Sequence, residues 1–159
     1  MLDVILKRRS IRQYEDKPVE PEVVREVLLA AMCAPSAYHK NPWSFVLVEK
    51  EEIRERLSRA TNFASFSKKA PIIIVITADS QSSPHWIEDS SIVGAHIYLE
   101  AVNQGLGTCW VQVYNMETPD GTNSEEYVRS VLGIPETERV LCMMPLGYPA
   151  EHPAGHSEA

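Results

Sequence analysis

The run IIIVIT at residues 72–77 consists of β-branched residues throughout, and its only polar member is Thr77. Such side chains favour β-strands, and an apolar run without polar alternation is typical of a strand that is covered on both faces. We therefore predict a central strand at residues 72–77.

On either side of this strand, strand-like and helical patterns alternate along the chain. Apolar runs bounded by turn residues predict further strands at 44–49, 108–113 and 140–146. Helical spacing, with the usual start and stop residues, predicts helices at 3–9, 21–34, 51–59, 86–104 and 124–132. This alternation indicates a sheet flanked by helices, and the length of the chain fits one domain of residues 1–159.

The charge balance limits the classes of partner. Fifteen Lys and Arg residues stand against 22 Asp and Glu residues, so the formal net charge is −7. An acidic chain has no general attraction to nucleic acid or to an anionic membrane, and we expect neither as a partner. Any anion that binds must be held by a local group of cations.

Cysteine and histidine usage indicates the compartment and the kind of site. Cys33, Cys109 and Cys142 are few and far apart, unlike a secreted disulfide framework or a CxxC pair. The N-terminus lacks the order of a signal peptide, and no apolar run approaches the roughly 18 residues of a membrane span. We therefore expect a cytoplasmic protein. The histidines show no HExxH or paired-cysteine pattern, so we expect no metal site.

The densest chemical signal is KRRSIR at residues 7–12, which places four cations and a hydroxyl within six residues. One interpretation is a phosphate site, because arginine forks match phosphate oxygens and a serine hydroxyl adds a further hydrogen bond. The other is that these cations lie at the end of a helix, where they interact favourably with its dipole. The residues alone leave both open.

A second candidate segment is APSAYHKNPW at residues 34–43, a proline-bounded loop between a predicted helix and a predicted strand. Its small residues would let a flat ring lie close to the backbone, and its polar side chains could bond the ring edge. The alternative is an ordinary turn, and for Trp43 we favour a place in the core. In the segment 61–69, Phe63 and Phe66 form either a helical lid or part of an ordinary surface.

Four segments resemble the nitroreductase family of FMN-dependent oxidoreductases in their order and rough spacing. They are RRSIRQY at 8–14, APSAYHKNPW at 34–43, GLGTCWV at 105–111 and PLGYPAE at 145–151. The resemblance covers nearly the whole chain. It implies an α+β fold with a mixed, mainly antiparallel sheet flanked by helices, and a homodimer with two FMN sites at the subunit interface. The apolar helix predicted at 86–104 would fit that interface.

The resemblance also implies which residues bind FMN. The phosphate candidates are Arg8, Arg9 and Ser10, while Arg12 would reach the ribityl chain or the ring edge. The candidates beside the flavin ring come from two segments, and they are Pro35, Ser36, Ala37, His39, Asn41, Trp110, Val111 and Gln112. We assign no acid, base or nucleophile, because the cofactor carries the difficult chemistry.

Some positions depart from the family pattern. His39 stands where an Asn is usual and Asn41 where a Gln is usual, so the contacts with the flavin and its potential would differ. Gln112 replaces a residue that is often small, which would narrow the pocket or place an amide over the ring. The cation that usually follows the GYPAE motif has no counterpart after Arg139, so we expect the phosphate to depend on the N-terminal cluster.

The activity that the resemblance implies is hydride transfer from NAD(P)H, through N5 of the flavin, to an acceptor such as a nitroaromatic or a quinone in a ping-pong cycle. The alternative from another class is an FMN-binding carrier or redox sensor without turnover. Reductive dehalogenation or flavin modification is also open among enzymes.

Overall fold

The computed structural model describes residues 1–157, which form three layers, with helices packed on both faces of a central sheet. The helices are α1 (Asp3–Lys7), α2 (Pro21–Met32), α3 (Glu51–Leu57), α4 (Trp86–Asn103) and α5 (Ser124–Leu132). The strands are β1 (Trp43–Val48), β2 (Ile72–Asp79), β3 (Gly107–Thr108), β4 (Val111–Gln112) and β5 (Glu138–Gly147). Two short 3-10 helices lie at Ala37–His39 and Ser65–Lys69.

The sheet is built around the pairing of β2 with β5. The strand order is β1-β2-β5-β3, with β4 also paired to β5, and all of these pairs are antiparallel. A parallel bridge joins Ser10 to Thr108 at the outer side of β3. The sheet is therefore mixed and mainly antiparallel, as predicted.

Both faces of β2 are buried, which confirms the central strand predicted at 72–77. Ile72, Ile74 and Ile76 belong to a core shared with α2 and α4, since successive side chains of a strand point to opposite faces. Ile73 and Val75 belong to a second core shared with α3 and α5. The two helical layers thus depend on the same strand.

The predicted strand at 108–113 is wrong as a single element, because the chain forms two short strands on either side of Cys109 and Trp110. The backbone N–H of Trp110 donates to the Tyr98 hydroxyl at 2.7 Å and not to a neighbouring strand. The Trp110 ring lies against Gly94 of α4, where a β-carbon would collide with it. A side-chain partner on a helix therefore interrupts the ladder.

The helix boundaries differ from the predicted ones at four C-termini, and the smallest difference is in α4, which ends at Asn103 instead of residue 104. The first helix ends at Lys7 because the next residues leave it to join the sheet edge through Ser10. The second ends at Met32, two residues before Ala34, and the third ends at Leu57. The helix at 124–132 is confirmed, with Gly133 at its end in the left-handed conformation at φ 68°.

An ion pair between a buried carboxylate and a partly exposed guanidinium joins α5 to β5. The Glu125 carboxylate accepts two hydrogen bonds from the Arg139 guanidinium, at 3.0 and 2.8 Å, and one from the backbone N–H of Val140 at 3.1 Å. The same guanidinium lies 5.1 and 5.0 Å from the ring centroids of Trp86 and Tyr114. The Glu125 carboxylate raises the pKa of Arg139. This group of contacts fixes one end of β5.

We expect Glu125→Ala to lower the free energy of unfolding by about 2 to 3 kcal/mol, because it leaves the Arg139 guanidinium and a buried backbone N–H without their acceptor. The control is Glu126→Ala, whose side chain is exposed on the same helix turn and whose cost should stay within about 0.5 kcal/mol. Urea unfolding of both variants measures the difference. Equal costs for the two would contradict the role given to Glu125.

Candidate functional site

The cationic segment at residues 8–12 is held against β3. The backbone N–H of Ile11 donates to the Thr108 carbonyl at 3.0 Å, next to the bridge between Ser10 and Thr108. Gly107 lets the two chains approach closely, since a β-carbon there would lie 2.7 Å from that of Ile11. The segment at 8–12 and the segment at 107–112 are therefore neighbours, although about 100 residues separate them in sequence.

Tyr98 of α4 connects these two segments. Its hydroxyl accepts from the backbone N–H of Trp110 at 2.7 Å and lies 3.3 Å from the Ser10 hydroxyl, while the Arg8 guanidinium lies 5.0 Å from the centre of its ring. Burial raises the pKa of Tyr98, so the hydroxyl keeps its proton and is able to donate to Ser10. Sequence reasoning missed this residue. The signal that could have found it is a phenol in the mostly apolar stretch 92–99 of that helix, where His96 is the other polar side chain.

A cleft of about 200 Å³ opens beside Trp110, whose backbone N–H is bound by Tyr98. The side chains of Arg12 and Phe66 meet at its edge, with 5.8 Å between the guanidinium carbon and the ring centre. The residues that line the cleft are Arg12, Thr61, Phe63, Phe66, Cys109, Trp110, Val111, Gln112 and Met116. The cleft therefore combines one cation, an indole and two phenylalanines.

The two phenylalanines of the segment 61–69 both line this cleft, and they differ in burial. Phe66 packs partly against the core that α3 and α5 share, while Phe63 is 75% exposed. Ser65–Lys69 forms a short 3-10 helix. Phe63 is thus the exposed phenylalanine at the cleft, and a lid formed by this segment stays a prediction.

The Gln112 side chain is fixed at both ends of its amide. Its oxygen accepts from the Trp110 indole N–H at 2.8 Å, and its nitrogen donates to the Tyr114 carbonyl at 2.9 Å. An amide with both polar ends engaged has little freedom to rotate. Gln112 therefore makes a rigid part of the cleft wall, which a small residue at this position would not do.

The loop at 34–43 is ordered by its own hydrogen bonds. The Ser36 hydroxyl donates to the Asn41 side-chain oxygen at 2.7 Å and accepts from the Asn41 backbone N–H at 2.9 Å. Tyr38, His39 and Asn41 have φ between 46° and 55°, a left-handed conformation that non-glycine residues seldom adopt. Such strain persists only where surrounding contacts impose it, and it is common at functional sites.

A buried carboxylate ties this loop to the start of α4. Asp89 accepts from the backbone N–H of Ala37 at 2.8 Å and from the Ser83 hydroxyl at 2.8 Å. Trp43, at the end of the loop, packs partly against the core, as predicted for its side chain.

The candidate residues fall into two groups at different positions along α4. Arg8, Ser10 and Arg12 lie near Trp110, Val111 and Gln112, whereas the Arg9 guanidinium donates to the Ala154 carbonyl. Pro35, Ser36, Ala37, His39 and Asn41 belong to the other group, and none of them lines the cleft in the described residues 1–157. Nine residues separate Asp89 from Tyr98, which is about 13 Å along a helix axis.

The remaining sequence features are placed as follows. Cys109 and Cys142 are buried and Cys33 is exposed, each with a free thiol. Within residues 1–157, the structure contains no group of three potential metal-binding side chains. In the same range, none of the helices has the length and apolar character needed to cross a bilayer.

Comparison with known proteins finds similarity to nitroreductases over most of the chain. The model of the nitroreductase family matches residues 5–63 and 58–148. A protein of Methanothermobacter thermautotrophicus, named as a candidate NADH dehydrogenase/NAD(P)H nitroreductase, is 37% identical over 96% of this chain and 79% of its own length. The FMN-dependent nitroreductase of Clostridium difficile R20291 has a solved structure that is 38% identical, with a TM-score of 0.96 over 99% of this chain and 92% of that one. An iodotyrosine deiodinase of Haliscomenobacter hydrossis is 26% identical over 91% of this chain and 77% of its length.

We expect Asp89→Ala to release the loop at 34–43. The change removes the acceptor of the Ala37 N–H, so hydrogen exchange of the amides at 37–41 should accelerate, and the free energy of unfolding should fall by about 2 kcal/mol. Glu88→Ala is the matched control, since it removes an exposed carboxylate from the same helix turn. If both variants leave exchange in the loop unchanged, the carboxylate does not hold it.

Proposed function

The chain belongs to the nitroreductase family, and from this premise we propose that it is an FMN-dependent oxidoreductase. The proposed reaction moves a hydride from NAD(P)H to a small acceptor such as a nitroaromatic or a quinone. The observation that carries the proposal is the position of Arg8 and Ser10 beside Tyr98, adjoining a cleft that Arg12 and Trp110 line. Arg8 and Arg12 are two cations in the same region of a chain whose net charge is −7. They fit an anionic ligand that has a planar ring.

The residues present fit the two ends of FMN. Arg8 would bind the phosphate through its guanidinium fork and Ser10 through its hydroxyl, and we keep Arg9 as a further candidate. Arg12 would donate to the polar edge of the ring from the rim of the cleft. Tyr98 would orient Ser10, because their hydroxyl oxygens lie 3.3 Å apart.

The wall at 110–112 would support one face of the ring. Trp110 is fixed by the Tyr98 hydroxyl and by Gln112, so the backbone of this segment is held in place before any ligand binds. Phe63 and Phe66 would exclude water from the opposite side of the cleft. When bound, FMN supplies the hydride-transfer chemistry, and the protein supplies binding, orientation and a dry surface.

We propose that the complete site forms between two copies of the chain. A cleft of about 200 Å³ is smaller than the roughly 300 Å³ at which ligand pockets commonly begin, so one chain would cover only part of the cofactor. The loop residues Pro35, Ser36, Ala37, His39 and Asn41 would come from the partner, since in one chain they lie toward the other end of α4. The exposed Tyr38, held at φ 52°, suits such a contact.

We further propose that residues 1–159 act as one FMN-binding domain in the cytoplasm. Support for the compartment comes from the three free thiols, two of them buried. Support for the single domain comes from the two cores that share β2.

We expect the double variant Arg8→Ala with Arg12→Ala to bind FMN about 100-fold more weakly, because two charge-assisted contacts are lost. Arg25→Ala with Arg59→Ala is the control, since it removes the same charge from exposed ion pairs elsewhere. Fluorescence titration with FMN measures the affinities. Equal affinity in both double variants would refute the proposed binding site.

The FMN-bound protein also distinguishes an oxidoreductase from a flavin carrier without turnover. With FMN bound, anaerobic addition of NADH or NADPH should bleach the visible flavin band of the unmodified protein. A flavin that stays oxidised with both nicotinamides would refute the oxidoreductase and favour the carrier or redox sensor.

The shared site predicts complementation between two defective chains. Chains with Arg8→Ala and Arg12→Ala, and chains with Ala37→Glu, should each lose FMN as homodimers. A heterodimer isolated through two different affinity tags contains one intact site and should bind one FMN per dimer. A heterodimer without FMN would show that both groups of residues act within one chain.

A further inference from the structure

The segment after β5 lies along the N-terminal cationic segment. Tyr14 and Pro149 form an antiparallel bridge, and the Ala150 N–H donates to the Gln13 carbonyl at 2.9 Å. The Glu151 carboxylate then accepts from the backbone N–H groups of Arg12 and Gln13. This pairing fixes the course of the chain up to Glu151.

The following residues continue to the end of α1. The backbone N–H of His156 donates to the Leu6 carbonyl at 2.8 Å, and the Arg9 guanidinium donates to the Ala154 carbonyl. Gly155 permits this approach, because a β-carbon there would lie 2.9 Å from the Leu6 carbonyl oxygen. The position of His156 is therefore set by backbone contacts, although its side chain is exposed.

This course brings the imidazole of His156 to the proposed phosphate site. Its Nε2 lies 3.3 Å from a terminal nitrogen of Arg8. A guanidinium has donors only, so Nε2 accepts in this contact. Arg8 also lies over the ring of Tyr98, whose hydroxyl is 3.3 Å from the Ser10 hydroxyl. The imidazole of His156 therefore lies near Arg8 and Ser10, the two residues that we propose as ligands of the phosphate.

We propose that His156 is a further ligand of the phosphate group of FMN, that it binds this group in its protonated form, and that flavin affinity therefore depends on pH. The proposal rests on the proposed function. A phosphate dianion beside both groups offsets the repulsion between guanidinium and imidazolium. Binding then takes up a proton on the ring, and the N–H that results donates to a phosphate oxygen.

Within the part of the chain that the structure describes, residues 1–157, the other charged groups near His156 have partners of their own. Lys7 of α1 lies 3.6 Å from Asp3, and Arg9 is bound to the Ala154 carbonyl. In the segment of His156 itself, the Glu151 carboxylate is occupied by two backbone N–H groups, and His152 lines a separate groove with Lys7 and Arg9. On α4, Tyr98 faces Arg8. Among the described residues 1–157, Arg8 is thus the charged side chain in direct contact with the imidazole.

The experiment compares FMN with riboflavin, which lacks the phosphate, at pH 7.0 and pH 8.5. Histidine ordinarily changes charge between pH 5 and 8, while a phosphate monoester is mostly a dianion above about pH 6. We expect the unmodified protein to bind FMN about five-fold more weakly at the higher pH as the imidazolium loses its proton. Riboflavin affinity should not change.

Variants at the same position separate charge from structure. His156→Gln should bind FMN about ten-fold more weakly at pH 7.0 and show no further loss at pH 8.5, because a charge-assisted hydrogen bond is gone at both values. His156→Lys should bind FMN tightly at both. His152→Gln, the control in the same segment, should behave as the unmodified protein. Calorimetry at pH 7.5 in two buffers of different ionisation enthalpy should show proton uptake with FMN that His156→Gln abolishes.

The outcomes distinguish this proposal from the proposed function. If the protein binds FMN, and His156→Gln keeps both the affinity and the pH dependence, the role of His156 is refuted and the proposed function stands. If riboflavin affinity falls equally in His156→Gln, the residue acts on the fold and not on the phosphate, which also refutes it. If the unmodified protein binds no FMN, both proposals fail.

Discussion

The antiparallel pairing of β2 with β5 is the interaction on which the other elements depend. β1 pairs with the free side of β2, while β3 and β4 both pair with β5. Both faces of β2 are buried, so α2 and α4 on one side and α3 and α5 on the other need its side chains to complete their cores. Loss of this pairing would expose both cores at once, which is why the strand tolerates so little polarity.

Helix α4 packs on the sheet and holds the residues of the candidate site in position. Asp89 in its first turn holds the loop at 34–43, Gly94 receives the Trp110 ring, and Tyr98 joins Trp110 to Ser10. A straight helix keeps these three attachment points at fixed separations. It follows that one chain presents the two groups of candidate residues apart, which is the physical basis for proposing that a partner supplies the loop.

Charge is distributed so that most cations away from the site have a partner within the chain. Arg139 is bound to Glu125, Arg59 and Lys68 lie near Glu55, and Arg54 donates to backbone carbonyls. Arg8, by contrast, meets an imidazole and an aromatic ring. An imidazole and a guanidinium in contact are well suited to an anion, so the net charge of −7 does not prevent anion binding at this place.

The central strand, the helix closed by Gly133 and the family could be predicted from the sequence, because β-branched runs, glycine stops and ordered motifs are local signals. The interruption at Trp110, the tether at Asp89, the hydrogen bonds of the Tyr98 hydroxyl and the position of His156 could not be predicted. Each of these depends on a hydrogen bond between residues far apart in the chain, or on the close approach of a helix. Periodicity reports the burial of a residue but not its partner, so these contacts appear only when the chain is folded.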